Sequence, residues 1–130
     1  MTGEPAFLDI PQVENLHRIS LERHGGQDGV RDRAAFESAV MQPRNAWYYG
    51  QGDLFDVAAA YAFHLAEAQA FLDGNKRTGM SAALVFLEGN KVPVPEATNE
   101  LYDAMIAIAA RRIGKPELAA VLRRLCLTSK

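Results

Sequence analysis

The stretch "EAQAFLDGNKRTGMSAALVFLEG", residues Glu67 to Gly89, decides the fold and poses the functional question. It reads as the end of one helix, a turn at Gly74, and a second helix over about Lys76–Leu87. Both helices are strongly apolar, so the charged turn lies at the mouth of a buried helix pair. The second helix opens with Lys76 and Arg77. A helix N-terminus carries partial positive charge, so two cations there are a poor local choice. An anion in front of the helix removes the conflict. The free N–H groups of a first turn point at such an anion, and phosphate suits them best. Arg77 can grip phosphate oxygens in a fork, and Lys76 acts as a point charge. Asn75 can donate its side-chain amide and tolerates unusual backbone angles. Asp73 is placed to hold a Mg²⁺ that bridges the same phosphates. Without a metal, a carboxylate beside a phosphate is repulsive. The competing reading is a common Asp-Gly turn and a solvated helix entry. The stretch is not a Walker loop, because it lacks the Gly-Lys-Ser/Thr ending and the four-residue spacer.

Working outward, "LFDVAAAYAFHLAEAQAFL" (Leu54–Leu72) is apolar nearly all round. That marks it as the centre of an α-helical domain. It approaches the length of a membrane span, about 20 residues. Its alanines, with Asp56, His64, Glu67 and Gln69, favour a buried central helix instead. Upstream, Ile10–Arg23 suits a first helix, with Val13, Leu16 and then Ile19 or Ser20 along one side, and Pro11 in its first turn. The three glycines of "HGGQDG" (His24–Gly29) stop it. Asp32 can cap a second helix ended by Pro43, with Ala35, Phe36, Ala39 and Val40 as its buried stripe. "PRNAWYYGQGD" (Pro43–Asp53) reads as a loop or short flap. Its aromatics Trp47, Tyr48 and Tyr49 either fold back on the core or line a ligand site. Downstream, Gly89 or Asn90 can take a left-handed helix cap. "KVPVP" is extended, Thr98 caps a helix ended by Gly114, and Pro116 starts a last one. No segment alternates like a sustained strand. The fold class is all-α, a helical bundle around the Ala-rich helix with room for one short β-hairpin flap.

The chain has 130 residues, enough for one domain over residues 1–130. Apolar residues make up 48% and charged residues 23%, an ordinary globular balance. A net charge of -2 and a pI near 5.9 argue against direct nucleic-acid binding on charge alone. Cys126 is the only cysteine, which excludes an internal disulfide and a cysteine metal cluster. The start "MTGEPAFLDIPQ" has no signal-peptide pattern, so cytoplasm is the expected compartment.

The central motif "QAFLDGNKRTG" resembles that of the Fic/Doc family, whose pattern runs His-x-Phe-x-Asp/Glu-Gly-Asn-Gly/Lys-Arg. Phe71, Asp73, Gly74, Asn75, Lys76, Arg77 and Thr78 fall in register, and the Lys-Arg-Thr ending is that of the Doc branch, the death-on-curing toxins. "ERHGGQDGVRDRAAFESAV", "LFDVAAAYAFHLA" and "ALVFLEGNKV" extend the resemblance over nearly the whole chain. It implies an all-α Fic fold that binds ATP with Mg²⁺ and transfers part of the nucleotide to a protein hydroxyl. In Doc-type toxins the transferred part is a phosphoryl group and elongation factor Tu is the known type of target; Fic proteins typically transfer AMP. Carried onto this sequence, Asp73 holds Mg²⁺. Asn75, Lys76, Arg77 and the backbone from Gly74 through Thr78 cradle phosphates, and Phe71 anchors the loop. The Fic branch has a second arginine where this chain has Met80, which favours the Doc mode. Resemblance to Doc also implies a Phd-like antitoxin whose tail folds onto a groove near the first two helices. The inhibitory Ser/Thr-x-x-x-Glu-Gly/Asn pattern of many Fic proteins is missing.

One departure matters. The family's catalytic His, the base for the attacking hydroxyl, falls on Gln69. A glutamine amide cannot take that proton at neutral pH. General-base assistance is typically worth about 10²–10⁴-fold. Phosphoryl transfer often has a loose transition state, where positioning and charge neutralisation contribute most. A slow kinase therefore remains chemically sound. His64 lies five residues earlier, about 140° around the helix and ~7.5 Å back along its axis, so it should face elsewhere in a packing role. Glu67 projects roughly opposite Gln69, facing solvent or paired. His17 and His24 have no place that sequence alone can fix. Two functional readings follow: a Doc-like toxin enzyme, and a catalytically weak or inactive relative that binds nucleotide or protein. A third is a helical domain with no nucleotide site.

Overall fold

A computed structural model of the chain describes residues 3–50, 52–96 and 98–127. Seven helices form among them: α1 (Ile10–His24), α2 (Arg33–Met41), α3 (Pro43–Tyr48), α4 (Leu54–Ala68), α5 (Asn75–Gly89), α6 (Asn99–Ala109) and α7 (Lys115–Leu127). The all-α expectation holds. The one β feature among the described residues is an isolated antiparallel bridge, Val30 to Phe71.

Helix starts follow their side chains. Asp9 and Asp53 cap α1 and α4 in reciprocal capping boxes with Gln12 and Asp56. Asp32 and Thr98 cap α2 and α6, as their spacing predicts. Each such cap is worth about 1 kcal/mol. Helix ends follow the sequence less closely. Lys91 (φ 69°), not Gly89 or Asn90, takes the left-handed position after α5. The Asn90 side chain instead donates to the Phe86 carbonyl and exchanges hydrogen bonds with the main chain of Ala6. Arg111 (φ 62°), not Gly114, does the same after α6. The Gly114 N–H is engaged by the Glu117 carboxylate at 2.8 Å.

No hairpin flap forms among the described residues of Pro43–Asp53. Gln42 keeps helical angles (φ -57°, ψ -38°), so the chain runs from α2 into α3, with Pro43 in its first turn. The three aromatics then separate. Trp47 is half-buried against the core, the Tyr48 hydroxyl donates to Glu4, and Tyr49 is 83% exposed.

Helix α4 is the axis of the molecule. Val57 to Ala62, Leu65 and Ala66 are all buried. Its small side chains let α5 approach closely: a Cβ on Gly79 would lie 2.8 Å from the Ala62 carbonyl oxygen. Of the predicted α2 stripe, Phe36, Ala39 and Val40 are buried and Ala35 is partly buried against the core; Cys126 is buried in a packing role. Among the described residues no helix is long and apolar enough to cross a membrane. The α4–α5 pair leaves one functional element at its open end, the turn between them.

Candidate functional site

The turn is built by reversing the chain at Gln69, which adopts the left-handed conformation (φ 46°, ψ 42°). For a residue with a Cβ this costs about 1–2 kcal/mol. The contacts just beyond it offset that cost. The Ala70 carbonyl accepts from the N–H groups of Arg31 (2.6 Å) and Asp32 (3.2 Å). The Leu72 N–H donates to the Gly29 carbonyl at 3.1 Å. Phe71 is buried and anchors the loop as expected. Its ring lies parallel to His17, with centroids 3.6 Å apart and planes 7° apart, and tilts against Phe36 at 4.9 Å. His17, 4% exposed, also reaches the next turn of chain: its Nε2 lies 2.8 Å from the Asp73 carbonyl oxygen. A carbonyl only accepts, so this nitrogen carries the hydrogen.

Asp73 is held from a second side. The Gln27 N–H donates to its Oδ2 at 2.7 Å. The chain reaches that position through Gly26, whose φ of 121° favours glycine and whose added Cβ would lie only 3.2 Å from Asp73 Cβ. Gly74, left-handed at φ 82°, then turns the chain into α5 without any side-chain cap. The first-turn N–H groups of Asn75, Lys76 and Arg77 accordingly have no partner among the described residues. Thr78 is the first to bond back, to the Gly74 carbonyl at 2.9 Å.

Two of the predicted phosphate-binding residues also have partners or places inside the fold. The Asn75 side chain, although the residue lines the cleft, is bonded to the loop itself. Its Oδ1 accepts from the Phe71 N–H (3.1 Å) and its Nδ2 donates to the Phe71 carbonyl (3.0 Å). It braces the loop. Thr78 is fully buried, and its hydroxyl has no hydrogen-bond partner among the described residues. Lys76 and Arg77 are exposed and form no ion pair there.

These residues front a cleft of about 380 Å³. Asp73, Gly74, Asn75, Lys76, Arg77 and Met80 form one wall; Tyr102, Met105 and Ile106 of α6 form the other. One side offers N–H groups and cations, the other apolar and aromatic surface. Such a cleft suits a ligand with an anionic end and a flat apolar end. Gln69 is exposed beside the loop but does not line the cleft. His64 does not line it either. Burial and the Lys115 charge push its pKa down to about 4, and its Nε2 lies 3.3 Å from Lys115 Nζ. It is a neutral packing residue, as its helical position predicts. Glu67 pairs with Arg111 at 3.2 Å.

The sequence reading missed His17, Gln27 and the α6 wall. A signal for His17 was available: it stands at i+4 from Val13 and i-3 from Ser20, on the face that is buried. Nothing local marks Gln27, because only its main chain takes part.

Residues 7–87 match the Fic/DOC family. The chain is 38% identical over 112 residues to "Protein kinase doc" of Escherichia phage P1, covering 85% of this chain and 87% of that protein. It is 37% identical over 121 residues to "Toxin Doc" of Mycolicibacterium smegmatis, covering 89% and 90%. The matched region carries the braced loop, the uncapped helix start and the central helix pair that positions them. The chain belongs to the Fic/DOC family, as a homologue of the Doc toxins.

Proposed function

We propose that this chain, acting as one domain over residues 1–130, is a Doc-type toxin. It uses ATP with Mg²⁺ to transfer a phosphoryl group to a hydroxyl of a target protein, a translation factor such as elongation factor Tu. The observation that carries this reading is the uncapped start of α5: three amides and the cations Lys76 and Arg77, without partners among the described residues, at the mouth of a cleft. A phosphate chain satisfies all of them at once. The relatives' names, a protein kinase and a toxin, point the same way.

The residues present fit the metal. Mg²⁺ is usually held by one or two carboxylates plus substrate phosphates rather than by an all-protein cage. Among the described residues there is no group of three acidic, His or Cys ligands, but Asp73 lines the cleft. Its Oδ2 is engaged by Gln27 and its Oδ1 is left for a metal. Bound Mg²⁺ supplies neutralisation of the phosphate charge. The protein's own part is positional. Gln27 orients the Asp73 carboxylate, Asn75 and Phe71 hold the loop, and Lys76 and Arg77 gather the phosphates.

Gln69 stands where the family pattern has its His, and limits the rate. Its amide can orient the attacking hydroxyl but cannot take the proton. AMP transfer is the second choice, since Met80 occupies the place of the Fic-branch arginine. A second functional reading, a nucleotide- or protein-binding relative without turnover, rests on Gln69 alone. For either, the restraining partner is a Phd-like antitoxin docked near α1 and α2, in the cytoplasm, with no direct contact to nucleic acid or membrane by this chain.

The test is calorimetric binding of ATP with Mg²⁺, followed by label transfer from γ- or α-labelled ATP to lysate protein. Binding that is lost in Asp73→Ala and Arg77→Ala, with γ-label transfer, is expected. Gln69→His should raise transfer about 10²–10⁴-fold. If neither the wild-type chain nor Gln69→His binds ATP, the nucleotide reading fails. Binding with transfer only in Gln69→His selects the second reading.

A further inference from the structure

We infer that His17 is a positioning residue for the anion site, acting through the Asp73–Gly74 peptide; this rests on the nucleotide reading above. The argument begins with that peptide. Its carbonyl oxygen accepts from His17 Nε2 at 2.8 Å, across 56 residues of sequence. In a planar trans peptide the C=O and N–H point in opposite directions. With the Asp73 carbonyl turned towards α1, the Gly74 N–H is turned away from it. Gly74 has His17 on one side, 3.5 Å from where a Cβ would stand, and lines the cleft on the other. The Gly74 N–H therefore joins the free amides of Asn75, Lys76 and Arg77 as a fourth donor at the helix start.

The alternative orientation would be damaging. Gly74 is left-handed and unbranched, so this peptide is a natural point for a flip. Flipped, it would aim a carbonyl oxygen where an anion is to sit. His17 opposes the flip in two ways. Its ring is fixed by parallel stacking on Phe71 and by near-complete burial, and its one donor is committed to the Asp73 oxygen. It is buried and does not line the cleft, so its role is orientation.

Two substitutions separate the stack from the hydrogen bond. His17→Phe keeps an aromatic ring over Phe71 and removes the donor. His17→Gln keeps an N–H donor and removes the ring. Three quantities are read: melting temperature, ATP–Mg²⁺ affinity, and the carbonyl-carbon NMR signal of Asp73. For His17→Phe an upfield shift of that signal and about tenfold weaker binding are expected while the chain stays folded. His17→Gln should return both to near the wild-type values despite a lower melting temperature. A folded His17→Phe with wild-type affinity and an unmoved Asp73 carbonyl overturns the inference, as does a change in melting temperature alone. If neither the wild-type chain nor Gln69→His binds ATP, the nucleotide reading fails separately, and the carbonyl signal still decides the role of His17. If His17→Phe does not fold, nitrogen NMR of the wild-type ring decides: protonation at Nε2 with slow exchange supports the inference, and protonation at Nδ1 overturns it.

Discussion

Asn75 ties the first turn of α5 to the loop before it through its side-chain amide. Its place in "DGNKR" made it a candidate ligand, and its amide chemistry fits that role. Its two side-chain bonds run to the main chain of Phe71, four residues back. The sequence could not display this, because the geometry depends on the left-handed turns at Gln69 and Gly74. Only the second of these is a glycine. A brace and a ligand give different results on substitution. Asn75→Ala is expected to lower the unfolding free energy by about 2 kcal/mol, since it leaves part-buried main-chain groups unpaired. Denaturant titration without nucleotide measures this. A ligand role alone would leave that value unchanged. Lys76 and Arg77 are the opposite case. The dipole conflict visible in the sequence has no internal solution in the fold, and their exposure is the reason to look for an external one.

Among the elements, α4 and α5 were the most legible and α3 the least. An Ala-rich run with apolar residues on every side has only one stable position, the centre of the bundle. The segment over Pro43–Tyr48 contains proline, aromatics and flanking glycines, which suit a flap as well as a turn of helix. Continuation of α2 through Gln42 decided between them. The contact that joins α4 to α5 was not legible, because Gly79 looks like any helical glycine until Ala62 is opposite it. Gly79→Ala would place a methyl group 2.8 Å from a main-chain oxygen that cannot retract without moving the helix. The expected cost is about 1–3 kcal/mol. The measurement is the chemical denaturation midpoint. Because α5 carries the anion site, weaker ATP–Mg²⁺ binding should accompany it.

For the molecule as a whole, acid stability should reveal its central helix. Folded, the chain keeps His64 neutral down to about 4, against an ordinary value of 6.5. Burial is the larger cause and the Lys115 charge the smaller. Between those values the unfolded chain binds a proton that the folded chain does not, so stability falls as pH drops from 6.5 towards 4 and levels below. The loss should be on the order of 1–2 kcal/mol, allowing for solvent screening of a partly exposed ring. His64→Gln should lose less over the same window, as measured by melting temperature at pH 7 and pH 4.5. The all-α class, the central helix and the motif were readable because each is local. The clamp from His17 and Gln27 was not, because it joins segments 56 and 46 residues apart. That separation also sets a timetable. A ribosome releases α1 long before Asp73, by roughly 3–11 s at about 5–20 residues per second. Tyr102 and Ile106 follow later still. During synthesis the nascent chain carries His17 with nothing to hold, and the donors before α5 have no fixed direction until the loop emerges to meet it.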